Sequence, residues 1–482
     1  MTDVHYLSAL ELAAAIRAGE VSSVEATQAF IDRIEAHDGQ INAVPVRTFE
    51  QALTDAAAAD AALARGKELG PLHGVPMTIK ESYVLANTRS TWGIESQRNN
   101  ISNEDGTAVR RFRNAGAHFL GKTNVPTDLA DFQSYNPIYG TTSNPWNVER
   151  TPGGSSGGSA ASLAAGFAAL EAGSDIGGSI RNPAHFCGVF GHKPTWGIVP
   201  MAGHELMPGV PDADLSVCGP LARSGADLEV ALDVMAGPLP REAIGWKLDL
   251  PRGDIESLSK LRVAVWATDD MAPVDDEVAG RVQMVGETLS KLGATVSDSA
   301  RPNIDHRKSH ITYQTLLQSV MASAQPMEQF EQTREYVATL DPEDFSAAAV
   351  TARGAVLYHR DWIRYNFRRE KLRGAWDAFF EDWDIVLAPQ MATTAFPHDH
   401  RPFSERTITV NGREREYFEQ VFWSGLFTAP LLPSTVFPTG ASGQGLPIGV
   451  QAVSAPYRDH RTIQFAEMIS REIGGFTPPP GF

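Results

Sequence analysis

Residues 151–184 read TPGGSSGGSAASLAAGFAALEAGSDIGGSIRNPA. Between Pro152 and Gly173 there is almost no long side chain, a composition shared by flexible Gly/Ser linkers and by closely packed backbone. A linker would interrupt the fold here; packed backbone would continue it. The apolar spacing of Ala161, Leu163, Ala164, Phe167 and Leu170 favours a packed helix entered through a Gly-Ser loop.

On the N-terminal side, Ser8 with Glu11 and Ser22 with Glu25 both have capping-box spacing, each followed by apolar residues at helical intervals. A third helix is expected over residues 49–68, stopped by Gly70-Pro71. From Gly74 onward the texture changes to short apolar runs, VPMTIK and AHFLGKT, which read as buried strands. Beyond Gly237, residues 261–266 (LRVAVW) read as strand, 277–292 as helix and ATVSDS as strand. Residues 303–380 are charged and mostly helical, and DIVLAP (384–389) returns as a buried strand. This alternation predicts an α/β layer structure without an internal repeat. The expected organisation is one domain over 1–482: N-terminal helices 1–70, a Gly/Ser-rich core 71–237, an α/β segment 238–302, a mostly helical insertion 303–380 and a return to the core over 381–482.

The 482 residues hold 58 Asp plus Glu against 41 Lys plus Arg, a formal charge of -17. No cluster of Lys and Arg is present, so neither nucleic acid nor a membrane surface is an expected partner. A chain of this length buries about three quarters of its unfolded surface and has core enough without disulfides or metals. The two cysteines, Cys187 and Cys218, lie in no zinc-ligand spacing and read as core thiols; no metal or cofactor is expected. The first twenty residues carry acidic side chains inside the apolar stretch and lack a basic start, so a cytoplasmic location is expected.

Three glycine motifs compete for the chemistry. Residues 116–123, GAHFLGKT, match the phosphate-loop pattern, but Ala117-His118-Phe119-Leu120 favours extended chain and Pro126 follows too closely for a helix. Residues 153–157, GGSSG, fit a nucleophile elbow on Ser155. The preceding NPWNVERTPGG reads as loop rather than strand, and none of His306, His310, His359, His398 and His460 stands out as its base. In the third, Asp175-Ile176-Gly177-Gly178-Ser179, paired glycines let successive N–H groups converge beside a hydroxyl, as an oxyanion hole requires. Ser179 is then the candidate nucleophile, with the amides of Ile176, Gly177, Gly178 and Ser179 as candidate donors. Its base is expected to be Lys80, at the end of G-V-P-M-T-I-K-E. An unperturbed amine would be neutral too rarely at pH 7, a penalty of about 4–5 kcal/mol, so burial has to lower its pKa.

The motifs G-V-P-M-T-I-K-E, G-K-T-N-V-P, Y-G-T-T-S-N-P-W-N, P-G-G-S-S-G-G-S-A-A, G-S-D-I-G-G-S-I-R-N-P-A and, at residues 445–451, G-L-P-I-G-V-Q resemble the amidase signature family in order and spacing. Lys80, Ser155 and Ser179 are 75 and then 24 positions apart, as in that family. The resemblance implies a single α/β/α domain around a mixed sheet and a Ser-Ser-Lys triad in which Lys80 is the base, Ser155 bridges from a cis peptide and Ser179 attacks. It implies an amide hydrolase that passes through an acyl-enzyme, with aryl esters and carbamates or urethanes as further substrates. Asp175 and Arg181 are expected to pair and support the nucleophile loop. Phe132, Tyr135 and Thr151 are candidate pocket residues, with Phe422, Trp423 and Phe427 as a further apolar wall or as core. Where many members carry Pro-Glu, this chain has Pro126-Thr127-Asp128, so contacts from that loop do not carry over. The expected partner is a small-molecule amide or carbamate, with a homodimer possible in this family. Two rivals are the glutamine-hydrolysing component of a tRNA amidotransferase and a non-catalytic scaffold of the same fold. The stretch FGHKPTWGIVPMAGH resembles broad-specificity amidases better than that component.

Overall fold

The computed structural model describes residues 4–67, 69–207 and 209–482. Both capping boxes form: the Ser8 and Ser22 side chains accept from Glu11 and Glu25 N–H, and the glutamates reach back. They open the helices Ala9–Ala18 and Ser23–Ile41, whose apolar faces are buried. The third helix spans Phe49–Ala64, shorter than expected, and Glu68, its expected last residue, lies outside the described residues.

The central sheet has eight strands in the order Thr295–Ser297, Arg262–Val265, Ile385–Pro389, Pro447–Val453, Ser434–Ala441, Phe190–Lys193, Val217–Ala222, Glu171–Asp175. The first three run parallel and the remaining pairings are antiparallel, so the sheet is mixed. A smaller sheet holds His118–Thr123 between Val46–Arg47 and Pro76–Lys80. It adjoins the segment leading into the last strand of the large sheet: Thr78 N–H donates to Leu170 O at 3.3 Å, and Ala169 N–H to Pro76 O at 3.4 Å. The resulting body is one α/β domain, and residues 116–123 lie largely in a buried strand rather than a phosphate loop.

The Gly/Ser-rich stretch is packed backbone. Its helix, Gly157–Ala164, is buried at every residue. It ends earlier than the apolar spacing predicts because Gly166, at φ +70, turns the chain out of the helical region. Phe167 and Leu170 reach the same core from the segment that follows. The mostly helical stretch expected over residues 303–380 holds four helices, His306–Met321, Met327–Thr339, Ala347–Ala355 and His359–Asp382. No helix among the described residues is long and apolar enough to cross a membrane.

Candidate active site

Lys80 is the last residue of a strand buried along its whole length, and its amine has no access to water. Its Nζ lies 2.7 Å from Ser155 Oγ and 2.9 Å from Ser174 Oγ. Burial pulls the Lys80 pKa down to about 7, against the opposing influence of Cys218, Asp175 and Glu171. Burial also pushes Glu171 up to about 8, so near neutrality its carboxyl is largely uncharged and pulls less on the lysine. The amine is therefore poised between its two protonation states at neutral pH, as a general base requires.

Ser155 follows a cis peptide bond from Gly154 and leads into the helix Gly157–Ala164. Ser179 sits in the turn between the strand Glu171–Asp175 and the helix Arg181–Cys187. The two turns are tied together where Ser156 N–H donates to Ser179 O at 3.0 Å. Lys80, Ser155 and Ser179 are 0%, 1% and 9% exposed, so Ser179 is the member of the set that faces outward.

Asp175 organises the Ser179 turn. Its carboxylate accepts from the N–H groups of Gly178 (2.9 Å), Ile180 (3.1 Å) and Arg181 (3.3 Å), and pairs with the Arg181 guanidinium at 2.9 Å. Burial alone would raise this carboxyl, but the Arg181 charge, followed by its hydrogen bond and Lys193, holds it at about 2. Arg181 also donates to Ser424 O, Gln451 Oε1 and Thr428 Oγ1, which anchors the turn to the C-terminal third of the chain.

Of the four amides expected to serve as oxyanion donors, one is engaged elsewhere. Gly178 N–H is committed to Asp175, whereas the amides of Ile176, Gly177 and Ser179 donate to no protein atom among the described residues. Gly178 has φ +108, and a Cβ there would lie 2.4 Å from Ser424 Oγ, so glycine is required on both counts. The Tyr313 hydroxyl donates to Ile176 O at 3.0 Å from the other side of the turn. Sequence reasoning missed Ser174, Tyr313 and Ser424. Ser174 could have been found from its position beside Asp175 in the strand that ends at the turn; the other two carry no local signal.

The candidate pocket residues divide. Thr151 is fully buried, its hydroxyl accepting from Gly153 N–H and donating to Phe132 O. Phe132 packs against Tyr417 and Phe418, and Tyr135 stacks on His400 at 3.8 Å. Phe422, Trp423 and Phe427 are core. Cys187 and Cys218 are buried free thiols. A groove of about 830 Å³ runs beside Arg150, Phe396, His398 and Tyr417, and none of the three triad candidates lines it.

A family model described as Amidase matches residues 25–463. The chain is similar to the indoleacetamide hydrolase of Bradyrhizobium diazoefficiens, 34% identical over 477 residues that cover 97% of this chain and 86% of that one. It is also similar to the A component of the glutamyl-tRNA(Gln) amidotransferase of Moorella thermoacetica, 33% identical over 487 residues and covering 96% of each. Among solved structures, 6-aminohexanoate cyclic dimer hydrolase bound to its substrate superimposes with a TM-score of 0.80 at 26% identity, covering 99% of both chains. The family model spans most of the chain and the fold agrees with it, and the chain belongs to the amidase family.

Proposed function

We propose that this protein hydrolyses the C–N bond of small-molecule amides through an acyl-enzyme, with Ser179 as nucleophile, Ser155 as proton bridge and Lys80 as base. The observation that carries the reading is the fully buried Lys80 amine, at about pKa 7 and 2.7 Å from Ser155 Oγ. A neutral amine offers one lone pair, which accepts from Ser155 while an N–H donates to Ser174. Ser179 Oγ adds to the carbonyl carbon as its proton passes to Ser155 and the Ser155 proton passes to Lys80, which becomes ammonium. The oxyanion accepts from the free amides of Ile176, Gly177 and Ser179. Collapse breaks the C–N bond, the amine leaves with the proton returned through Ser155, and water then hydrolyses the ester by the same relay. The Asp175–Arg181 pair holds the turn and takes no proton.

Treatment with a fluorophosphonate, followed by intact mass and peptide mapping, tests the assignment. The expected product is a single adduct on Ser179. An adduct on Ser155 would reassign the nucleophile, and a folded protein that took no label would favour the non-catalytic scaffold.

A second reading, glutamine hydrolysis as the A component of a tRNA amidotransferase, is favoured by the 33% identity to such a protein over 96% of the chain. Release of ammonia from glutamine against release of an aryl amine from an anilide separates the two, and aryl amine release is expected to dominate. Aryl carbamates and esters are the next substrates to compare, since both present the same carbonyl to Ser179.

A further inference from the structure

The turn that carries Ser155 rests on residues 131–134. Ser134 Oγ donates to Gly153 O at 3.0 Å and accepts from Gly157 N–H at 3.1 Å, one contact on each side of Ser155. A Cβ at Gly154 would lie 2.3 Å from Asp131 O and 2.5 Å from Gln133 O, so the two backbones touch directly before the bridging serine.

Residues 131–135 are held in turn from a distant part of the chain. Arg406 Nη1 pairs with Asp131 Oδ2 at 2.7 Å, and the Tyr417 hydroxyl donates to Asp131 Oδ1 at 2.6 Å. Gln133 exchanges hydrogen bonds with the backbone of Asp399 at 2.7 and 2.9 Å, and Arg406 Nη2 donates to the Tyr135 hydroxyl at 2.7 Å. The Arg406 and Asp131 side chains are 2% and 3% exposed, with the Phe403 ring 4.3 Å from the guanidinium carbon. Arg406 immediately precedes a hairpin, Thr407–Val410 with Arg413–Glu416, whose strands pair only with each other. The turn of that hairpin is fixed separately: Asn411 N–H donates to Asp275 at 2.6 Å, and its side-chain oxygen accepts from Asp276 N–H.

We propose that Asp131 and Arg406 are positioning residues: the hairpin, fixed at its tip, holds through Arg406 and Tyr417 the loop beneath Ser155, and so sets the Ser155 hydroxyl between Lys80 and Ser179. The proposal rests on the triad reading above. A strut of this kind acts on the rate of the covalent step, because a displacement of about 1 Å at the proton bridge disrupts a relay while leaving the binding surface intact.

The test is the kinetics of fluorophosphonate labelling at Ser179, with the maximal rate separated from the half-saturating concentration. In Arg406→Met the maximal rate is expected to fall by up to about 10²-fold, with half-saturation unchanged. Arg406→Lys, which keeps the charge, is expected to recover most of the rate, a rescue that general loss of packing would not give. Removing one partner of a buried pair can unfold a chain, so Tyr417→Phe, which deletes one hydroxyl, is measured beside it. Its expected loss is about tenfold, in keeping with a hydrogen bond to a charged group. If Arg406→Met does not fold, that loss alone supports the proposal. Maximal rates at the wild-type level in Tyr417→Phe and in any folded Arg406→Met overturn it while leaving the triad standing. If wild-type Ser179 takes no label, the triad reading fails first and this proposal falls with it.

Discussion

Lys80 and Lys122 end almost side by side on parallel strands, Pro76–Lys80 and His118–Thr123, with Ile79 opposite Lys122 and Lys80 opposite Thr123. Both are fully buried, and burial lowers both, to about 7 and about 8. Their surroundings differ. Lys80 meets two serine hydroxyls, one on a turn beside Ser179, whereas Lys122 donates to Arg89 O and Ser90 Oγ and fastens a loop. Lys193, lowered to about 7 by burial, donates among the described residues to Pro194 O. A depressed amine is thus common in this interior, and what distinguishes a base from a structural cation is whether its lone pair meets a hydroxyl that can pass a proton on.

The largest expected effect separates the Ser179 turn from everything else: Ser179→Ala lowers kcat/KM by about 10³-fold or more, read as loss of both turnover and labelling. Lys80→Ala follows, with a loss of about 10³-fold and retained folding by circular dichroism. Ser155→Ala, which removes the bridge but leaves base and nucleophile, loses about 10²-fold. Ser174→Ala sharpens the contrast between the lysines. It deletes an acceptor that favours the charged amine, so the acid limb of the rate profile moves to lower pH while the plateau drops by less than about tenfold. Lys122→Met has the smallest effect on rate, within about fivefold of wild type, and instead costs about 1–3 kcal/mol of stability by leaving Arg89 O without its donor; a denaturant melt reads that loss. Equal rate losses in Lys122→Met and Lys80→Ala would break the comparison.

The proposed triad could be picked out in the chain because Lys80, Ser155 and Ser179 each lie in a short contiguous motif that resembles the amidase signature family in order and spacing. The strands VPMTIK and DIVLAP were legible for a similar reason, as apolar runs bounded by polar or turn residues. The parts that were not legible join distant positions. Tyr313 reaches Ile176 across 137 residues, and Arg406 reaches Asp131 across 275, contacts that no local periodicity encodes. The engagement of Gly178 N–H by Asp175 was not legible either, because a glycine pair shows that amides can turn, not which one an aspartate has already bound. Phe132 and Thr151 were expected as pocket residues from the family resemblance alone, and the fold packs one among rings and bonds the other to its own loop.

In the proposed mechanism Lys80, largely neutral above its depressed pKa, draws the Ser179 proton through Ser155. Its most direct test is the rate of fluorophosphonate labelling at Ser179 across pH 5–9 in wild type and in Lys80→Ala. Protonation removes the base, so the wild-type rate should be lost as pH falls through about 7 and reach a plateau above it. Lys80→Ala should label slowly, with no transition near that value. A transition near pH 7 of the same size in both proteins would contradict the account.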